Sequence, residues 1–140
     1  FAKAMVEGRP IDLFGEGHLR RDFTFVEDIA NGVARVLDHI PAPDPAWSGD
    51  DPDAAHSKAP YALFNIGNHQ PVEVLRVVES LERHLGVEAI RNLLPPQPGD
   101  VEATWADVDD LARAVGWRPV TDIEEGLARF VAWFRDYHGV

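Results

Sequence analysis

Two adjacent arginines are the residues of this chain whose type and setting first suggest binding chemistry. Arg20 and Arg21 open an alternating aromatic run, with Phe23 and Phe25, that leads into the start of a helix. A guanidinium group is planar, stays charged at any working pH and matches the oxygens of a phosphate. The pattern predicts a short strand that holds a forked cation against a phosphate; a solvated basic turn is the alternative.

A second candidate lies in a segment with three prolines in four positions. Gln97 and Asp100 belong to the run Pro-Pro-Gln-Pro-Gly-Asp-Val that covers residues 95–101. Proline restricts the backbone, so less entropy is lost when such a loop adopts one arrangement. An amide and a carboxylate held in this way suit the recognition of hydroxyl groups. The alternative is that the segment is only a rigid connector between two elements.

The elements that must position these residues follow from apolar periodicity and capping residues. Strands are predicted from alternating or branched apolar residues at 10–14, 20–26, 61–66 and 87–94. Helices are predicted at 1–7, at 27–39, from Pro71 to Leu85, after Asp107 and after a capping box at Thr121–Glu124. Gly15-Glu16-Gly17 is predicted to be a turn and not a dinucleotide fingerprint, since Arg20 stands where that motif needs glycine. The expected fold class is α/β, with short strands and about five helices.

Composition limits the classes of function. The 140 residues carry 24 acids against 13 lysines and arginines, a net charge of −11, which argues against nucleic-acid binding. No run of about 18 apolar residues exists, so no membrane segment is expected. The absence of cysteine excludes disulfides and thiol chemistry, and a cytoplasmic location is the expectation. No metal site is predicted, because His56 has no second ligand at a fixed spacing.

Residues 41–60 combine five prolines with four aspartates. Such a composition buries too little apolar surface to offset the entropy of ordering, so we expect a mobile loop. The chain also begins directly in a predicted helix without an initiator methionine, which suggests a region of a longer protein.

Six motifs, in order along the chain, resemble the carboxyl-terminal part of extended short-chain dehydrogenase/reductase nucleotide-sugar epimerases, and among these most of all the UDP-glucuronate 4-epimerases. The motifs are Gly-Arg-Pro-Ile (8–11), Arg-Arg-Asp-Phe-Thr-Phe-Val-Glu-Asp-Ile (20–29), Phe-Asn-Ile-Gly-Asn (64–68), Gln-Pro-Gly-Asp-Val (97–101), Trp-Ala-Asp-Val-Asp-Asp-Leu (105–111) and Gly-Trp-x-Pro-x-Thr-x-Ile-Glu-Glu-Gly-Leu (116–127). They span nearly the whole chain except the 41–60 loop.

The resemblance implies a two-part enzyme. An amino-terminal Rossmann domain binds NAD, and residues 1–140 correspond to the smaller substrate-binding lobe, without that domain. The implied reaction interconverts UDP-glucuronate and UDP-galacturonate by transient oxidation at C4, in a cytoplasmic homodimer that serves polysaccharide biosynthesis.

The resemblance also implies roles for individual residues. By position, Arg21 matches the arginine that contacts the diphosphate, and Arg20 lies beside it. Asp12, Leu13 and Phe14 match a strand that passes near the nucleotide base. Gln97 to Asp100 match the segment that meets diphosphate and ribose, with Asp100 as the expected acceptor for a ribose hydroxyl. Galactose-type relatives have arginine where this chain has Gln97, which agrees with the glucuronate branch.

Two family features do not occur within these residues. There is no glycine-rich strand-to-helix motif, and neither Tyr61 nor Tyr137 is followed by lysine four residues later, so the Tyr-x-x-x-Lys pair is not found here. The chain alone is therefore expected to bind no NAD and to be inactive. Two alternatives stay open: another epimerase, dehydratase or decarboxylase of the same superfamily, or a non-enzymatic module that binds nucleotides or a protein.

Overall fold

Five helices and four short strands make up the α/β fold in the computed structural model, which describes all of residues 1–140. In chain order the elements are α1 (Ala2–Val6), β1 (Ile11–Phe14), β2 (Arg20–Arg21), α2 (Val26–Leu37), β3 (Val72–Glu73), α3 (Val74–Leu85), β4 (Arg91–Leu94), α4 (Asp109–Val115) and α5 (Ile123–His138). A single 3₁₀ turn at Gly15–Gly17 follows β1, as the sequence predicts.

The core forms around α3. This helix repeats apolar residues at the spacing that places them on one face, and that face packs against α5 and α1. The buried cluster contains Ala2, Met5, Ile11, Leu13, Val77, Val78, Leu81, Leu85, Val131 and Phe134. The helices predicted by periodicity thus supply most of the buried apolar surface.

The strands form two separate pairs. β1 and β4 are parallel, in a register that sets Ile11 beside Arg91 and Phe14 beside Leu94. β2 and β3 are antiparallel, with Arg20 opposite Glu73 and Arg21 opposite Val72. The first pair brings the end of β1 to the residue that precedes the proline-rich segment, and the second ties the two arginines to the start of α3.

The Glu124 carboxylate joins α3 to α5. Glu124 Oε2 accepts hydrogen bonds from the Ser80 hydroxyl and from the Arg83 guanidinium, each at 2.7 Å. Both bonds lower the pKa of Glu124 below its ordinary value near 4.5, and the bond from Ser80 has the larger effect. The predicted capping box with Thr121 is wrong, because the Glu124 carboxylate is occupied here; Asp122 instead caps α5 by accepting from the Glu124 N–H at 2.8 Å.

The buried strand predicted at 61–66 is wrong. Its side chains alternate between half-buried and exposed, as a strand would require, but the segment pairs only through an isolated bridge between His56 and Ala62. Leu63 N–H donates to Ala55 O at 2.9 Å, and the segment makes no further backbone hydrogen bond. Local propensity favours extended backbone here, whereas a strand also needs a neighbour to pair with.

Three boundaries also differ from the sequence prediction. The strand predicted at 87–94 is confined to Arg91–Leu94. The helix predicted to begin at Pro71 begins at Val74, because residues 72–73 pair with β2 as a strand. The strand predicted for 20–26 is confined to Arg20–Arg21, because the residues after it use side chains and not a ladder to bind their neighbours.

Residues 41–60 form neither helix nor strand. The Trp47 indole donates to Asp53 O at 2.9 Å, and the His56 ring lies 2.8 Å from the Asp53 carboxylate. The mobility of this loop stays a prediction. None of the helices has both the length and the apolar character required to cross a membrane.

Candidate functional site

The candidate site is built on the backbone of β2. Arg20 N–H donates to Glu102 O at 2.8 Å, and Thr104 N–H donates to Arg20 O at 3.2 Å. These two bonds place residues 102–104 alongside β2 in a parallel bridge. The segment that follows the proline-rich run is thereby fixed next to the arginines.

The Arg21 side chain points to this segment. Its Nη1 donates to Arg20 O at 2.8 Å and to Val101 O at 3.0 Å, so the guanidinium lies against the residue directly after Asp100. Nε and Nη2 donate no hydrogen bond within the chain, and no carboxylate forms an ion pair with Arg21. In a chain of net charge −11, Arg21 thus keeps an unneutralised charge and free donors.

The proline-rich segment ends in a tight turn. Asp100 N–H donates to Gln97 O, and Gln97 N–H donates to Asp100 Oδ2, both at 3.0 Å. Gly99 has φ of +93°, and proline followed by glycine at the two central positions is the sequence expected for a type II turn. Asp100 Oδ1 and the side-chain amide of Gln97 make no bond within the chain and are exposed, so both are available to a ligand.

β1 pairs with β4, the strand that leads into the proline-rich segment. Phe14 is half-buried next to Leu94, three residues before Gln97. Asp12 is exposed, and its Oδ1 accepts from Asn92 Nδ2 at 2.8 Å across the strand pair. Leu13 is 1% exposed and belongs to the core, so its side chain supports the strand and does not line the site.

Arg20 is directed away from this arrangement. Its Nη2 donates to Pro71 O at 2.9 Å, and the side chain lines a hollow with Glu73 and Arg76. Successive residues of a strand point to opposite faces, which separates the two neighbouring guanidinium groups. The structure therefore brings the Arg21 guanidinium to the carbonyl that directly follows the Gln97–Asp100 turn, and does not bring the Arg20 guanidinium with it.

Sequence reasoning missed two polar residues that support the site. Asp22 Oδ2 accepts from Ala106 N–H at 2.9 Å and from His69 N–H at 3.1 Å, and Thr24 Oγ1 accepts from Asn68 N–H at 3.1 Å. The available signal was their position, since both alternate with the phenylalanines of the run after β2.

The glycine pair after β1 does not fit a dinucleotide. A Cβ at Gly17 would lie 3.1 Å from Leu75 Cβ, so this glycine permits close packing against α3. The turn leads from β1 into β2 and opens no helix, whereas the glycine-rich dinucleotide motif opens a helix whose amino terminus binds the pyrophosphate. The Gly15–Gly17 turn is therefore not a dinucleotide-binding motif.

Known proteins resemble this chain in sequence and in fold. A sequence profile described as the NAD dependent epimerase/dehydratase family matches residues 1–47. Protein CapI of Staphylococcus aureus is 44% identical over 138 residues, which cover 99% of this chain and 41% of that protein. A probable UDP-glucuronate 4-epimerase of Rhizobium meliloti is 41% identical, with coverage of 96% of this chain and 40% of the relative. The chain is thus similar to part of these relatives over nearly its whole length, and to the NAD dependent epimerase/dehydratase family over residues 1–47.

A solved structure shows the same fold. UDP-glucuronic acid 4-epimerase of Bacillus cereus, in complex with UDP-glucuronic acid and NAD, superposes with a TM-score of 0.74 at 25% identity. The match covers 97% of this chain and 38% of that one. The chain thus spans about two fifths of the length of the epimerase/dehydratase relatives it matches, and the expected α/β fold of the carboxyl-terminal lobe is confirmed.

Proposed function

We propose that this chain supplies the UDP-sugar-binding surface of an NAD-dependent nucleotide-sugar epimerase. The observation that carries the proposal is the Arg21 guanidinium at 3.0 Å from the Val101 carbonyl, next to the Gln97–Asp100 turn. A cation with free donors and a carboxylate with a free oxygen, both held by backbone contacts, match a pyrophosphate and a ribose that follow one another in UDP.

Each group has a defined part in the proposed complex. Arg21 donates to the diphosphate through the guanidinium nitrogens that are not engaged with carbonyls. Asp100 accepts a ribose hydroxyl through Oδ1, while Oδ2 keeps the turn closed. The exposed side of β1, with Asp12 and Phe14, flanks the base. Arg20, which bonds to Pro71, is proposed to act at the edge of this surface through its charge and not by direct contact.

The proposed reaction is the interconversion of UDP-glucuronate and UDP-galacturonate at C4. Its support is the Rhizobium meliloti relative, named a probable UDP-glucuronate 4-epimerase, and the Bacillus cereus structure that holds UDP-glucuronic acid. An uncharged amide at Gln97 also agrees with the pattern of the glucuronate branch. NAD and the proton-transfer residues are proposed to belong to a Rossmann domain in the remaining length of a longer protein.

The same proposal includes a cytoplasmic homodimer that supplies precursors for polysaccharide synthesis. This extension rests on the resemblance to the epimerases and on no contact within the chain. The oligomeric state of the longer protein, measured by light scattering, tests it.

The test of the function is an assay of the longer protein on a panel of UDP- and dTDP-sugars with NAD. We expect conversion of UDP-glucuronate to UDP-galacturonate, followed by NMR of the anomeric protons, and no turnover by the 140-residue chain alone. Turnover by the chain alone would contradict the assignment of catalysis to another domain. An open reading frame that starts just before Phe1, with no glycine-rich motif upstream, would favour a non-enzymatic nucleotide-binding module.

A further inference from the structure

Three separate segments meet at the Asp22 carboxylate. Oδ2 accepts from Ala106 N–H at 2.9 Å and from His69 N–H at 3.1 Å, and thus links the residues after β2 to two distant loops. The His69 ring adds a bond from its Nδ1 position to Ala106 O at 2.7 Å, which ties the two loops to each other. Asp22 is therefore the point through which the loop at 67–69 and the segment at 104–106 are held against β2.

Gly67 leaves no room for a side chain between Ala106 and this carboxylate. A Cβ at Gly67 would lie 2.5 Å from Ala106 Cβ and 2.6 Å from Asp22 Oδ2, so only glycine fits between them. His69 has φ of +57°, a backbone conformation that non-glycine residues adopt at a cost. Strain of this kind persists where surrounding contacts fix the backbone, and here the contact is the bond from His69 N–H to Asp22.

The segment that carries the Arg21 contact is fixed at both ends. At its start, Val101 O accepts from Arg21, and in the middle, residues 102 and 104 bond to the Arg20 backbone. At its far end, Ala106 N–H donates to Asp22. Without this last bond, the far end of residues 101–106 would keep only the bond from the His69 ring to Ala106 O, and four of these six residues are exposed.

We infer that Asp22 is a positioning residue, which holds residues 101–106 so that Arg21 and the Gln97–Asp100 turn stay converged on the pyrophosphate of a nucleotide. The inference rests on the proposed function and adds to it a residue that touches no substrate. A carboxylate suits this task because hydrogen bonds from N–H groups to a charged acceptor are about twice as strong as those to a neutral one.

The test is an NMR titration of the 140-residue chain with UDP in a double-mutant cycle. Asp22→Asn keeps the shape and one acceptor oxygen but removes the charge. We expect it to weaken UDP binding about five- to tenfold in the native background and less than about twofold in the Arg21→Ala background, since its effect passes through Arg21.

Asp28→Asn is the matched control. Asp28 is a buried carboxylate on the neighbouring helix whose Oδ2 also accepts two distant backbone N–H groups, from Val120 at 3.3 Å and Thr121 at 2.9 Å. It holds no part of the 97–106 segment. Both aspartate variants should lower the thermal midpoint, while only Asp22→Asn should change the dissociation constant of the folded protein.

The outcomes separate this inference from the proposed function. If the native chain does not bind UDP, or if Arg21→Ala binds it as well as the native chain does, the proposed function fails and this inference with it. If Arg21→Ala weakens binding but Asp22→Asn does not, or costs the same in both backgrounds, the nucleotide site stands and the positioning role of Asp22 is wrong.

Discussion

The helical core and the proposed nucleotide-binding edge of this chain are stabilised in different ways. In the core, α1, β1, α3 and α5 bury ten apolar residues against one another. At the edge, residues 97–106 are almost all exposed, and hydrogen bonds to Arg20, Arg21 and Asp22 hold them in place. Burial stabilises the fold without regard to direction, whereas hydrogen bonds fix direction. A substitution in the core should therefore change stability, and one at the edge should change binding.

The largest expected effect on stability lies in the core. Leu81 is 4% exposed on α3, and Leu81→Ala should lower the free energy of unfolding by about 2–5 kcal/mol through lost burial and the cavity left behind. Leu37→Ala, at a leucine of α2 that is 79% exposed, is the matched control and should change it by less than about 0.5 kcal/mol. Urea denaturation followed by circular dichroism measures both. Equal losses would mean that α3 does not form the core.

A smaller effect is expected where the core carries a charge. Glu124→Gln should lower the free energy of unfolding by about 1–3 kcal/mol, because the buried Ser80 hydroxyl loses a charged acceptor. Glu125→Gln removes the exposed neighbouring carboxylate and should cost much less.

The pH dependence of this site has a definite sign. Because the pKa of Glu124 is lowered in the folded state, the ionised carboxylate stabilises the fold. This contribution to stability is fully present above pH 4.5 and is lost as the pH falls through the lowered pKa. In Glu124→Gln, the loss of stability on acidification should shrink. An unchanged acid limb of the stability curve would show that Glu124 is not ionised against Ser80 and Arg83.

The smallest effect concerns the loop at 41–60, which belongs to neither region. The hydrogen bond that the His56 ring donates to the Asp53 carboxylate raises the pKa of His56, and the same contact lowers the pKa of Asp53. The contact is therefore fully present between pH 3.8 and 6.5. It is lost as the pH rises through the raised pKa of His56 and as it falls through the lowered pKa of Asp53. NMR titration of the His56 ring should give a midpoint above 6.5 that returns toward it in Asp53→Asn. A midpoint at or below that value would remove this contact from the loop.

The two regions also differ in how far sequence alone predicts them. α2, α3 and α5 follow from apolar periodicity, and the Gln97–Asp100 turn follows from proline and glycine, because local residues determine these features. The short β3 and the unpaired 61–66 segment were not predicted correctly, because a strand depends on a partner that is distant in sequence. The opposite directions of the Arg20 and Arg21 side chains follow from strand alternation once β2 is known. The carbonyl groups that accept their hydrogen bonds, Pro71 O and Val101 O, are distant in sequence and could not be predicted.

The role of Asp22 was outside the reach of sequence reasoning for the same reason. Its two donors, the N–H groups of His69 and Ala106, lie 47 and 84 residues away in the chain. No spacing rule connects a carboxylate with backbone groups at such separations. Polar contacts that span loops can be located only once the fold is known.

The central claim is that Arg21 binds the diphosphate of a UDP-sugar and that the turn ending in Asp100 binds its ribose. Titration of UDP into the native chain, Arg21→Ala and Arg113→Ala tests it most directly, since Arg113 is an exposed arginine of α4 that pairs with Asp110 and controls for the lost charge. We predict that Arg21→Ala binds UDP about 10- to 100-fold more weakly, the value of a charged hydrogen bond, while Arg113→Ala binds it as the native chain does. Equal affinity in the native chain and in Arg21→Ala would contradict the account.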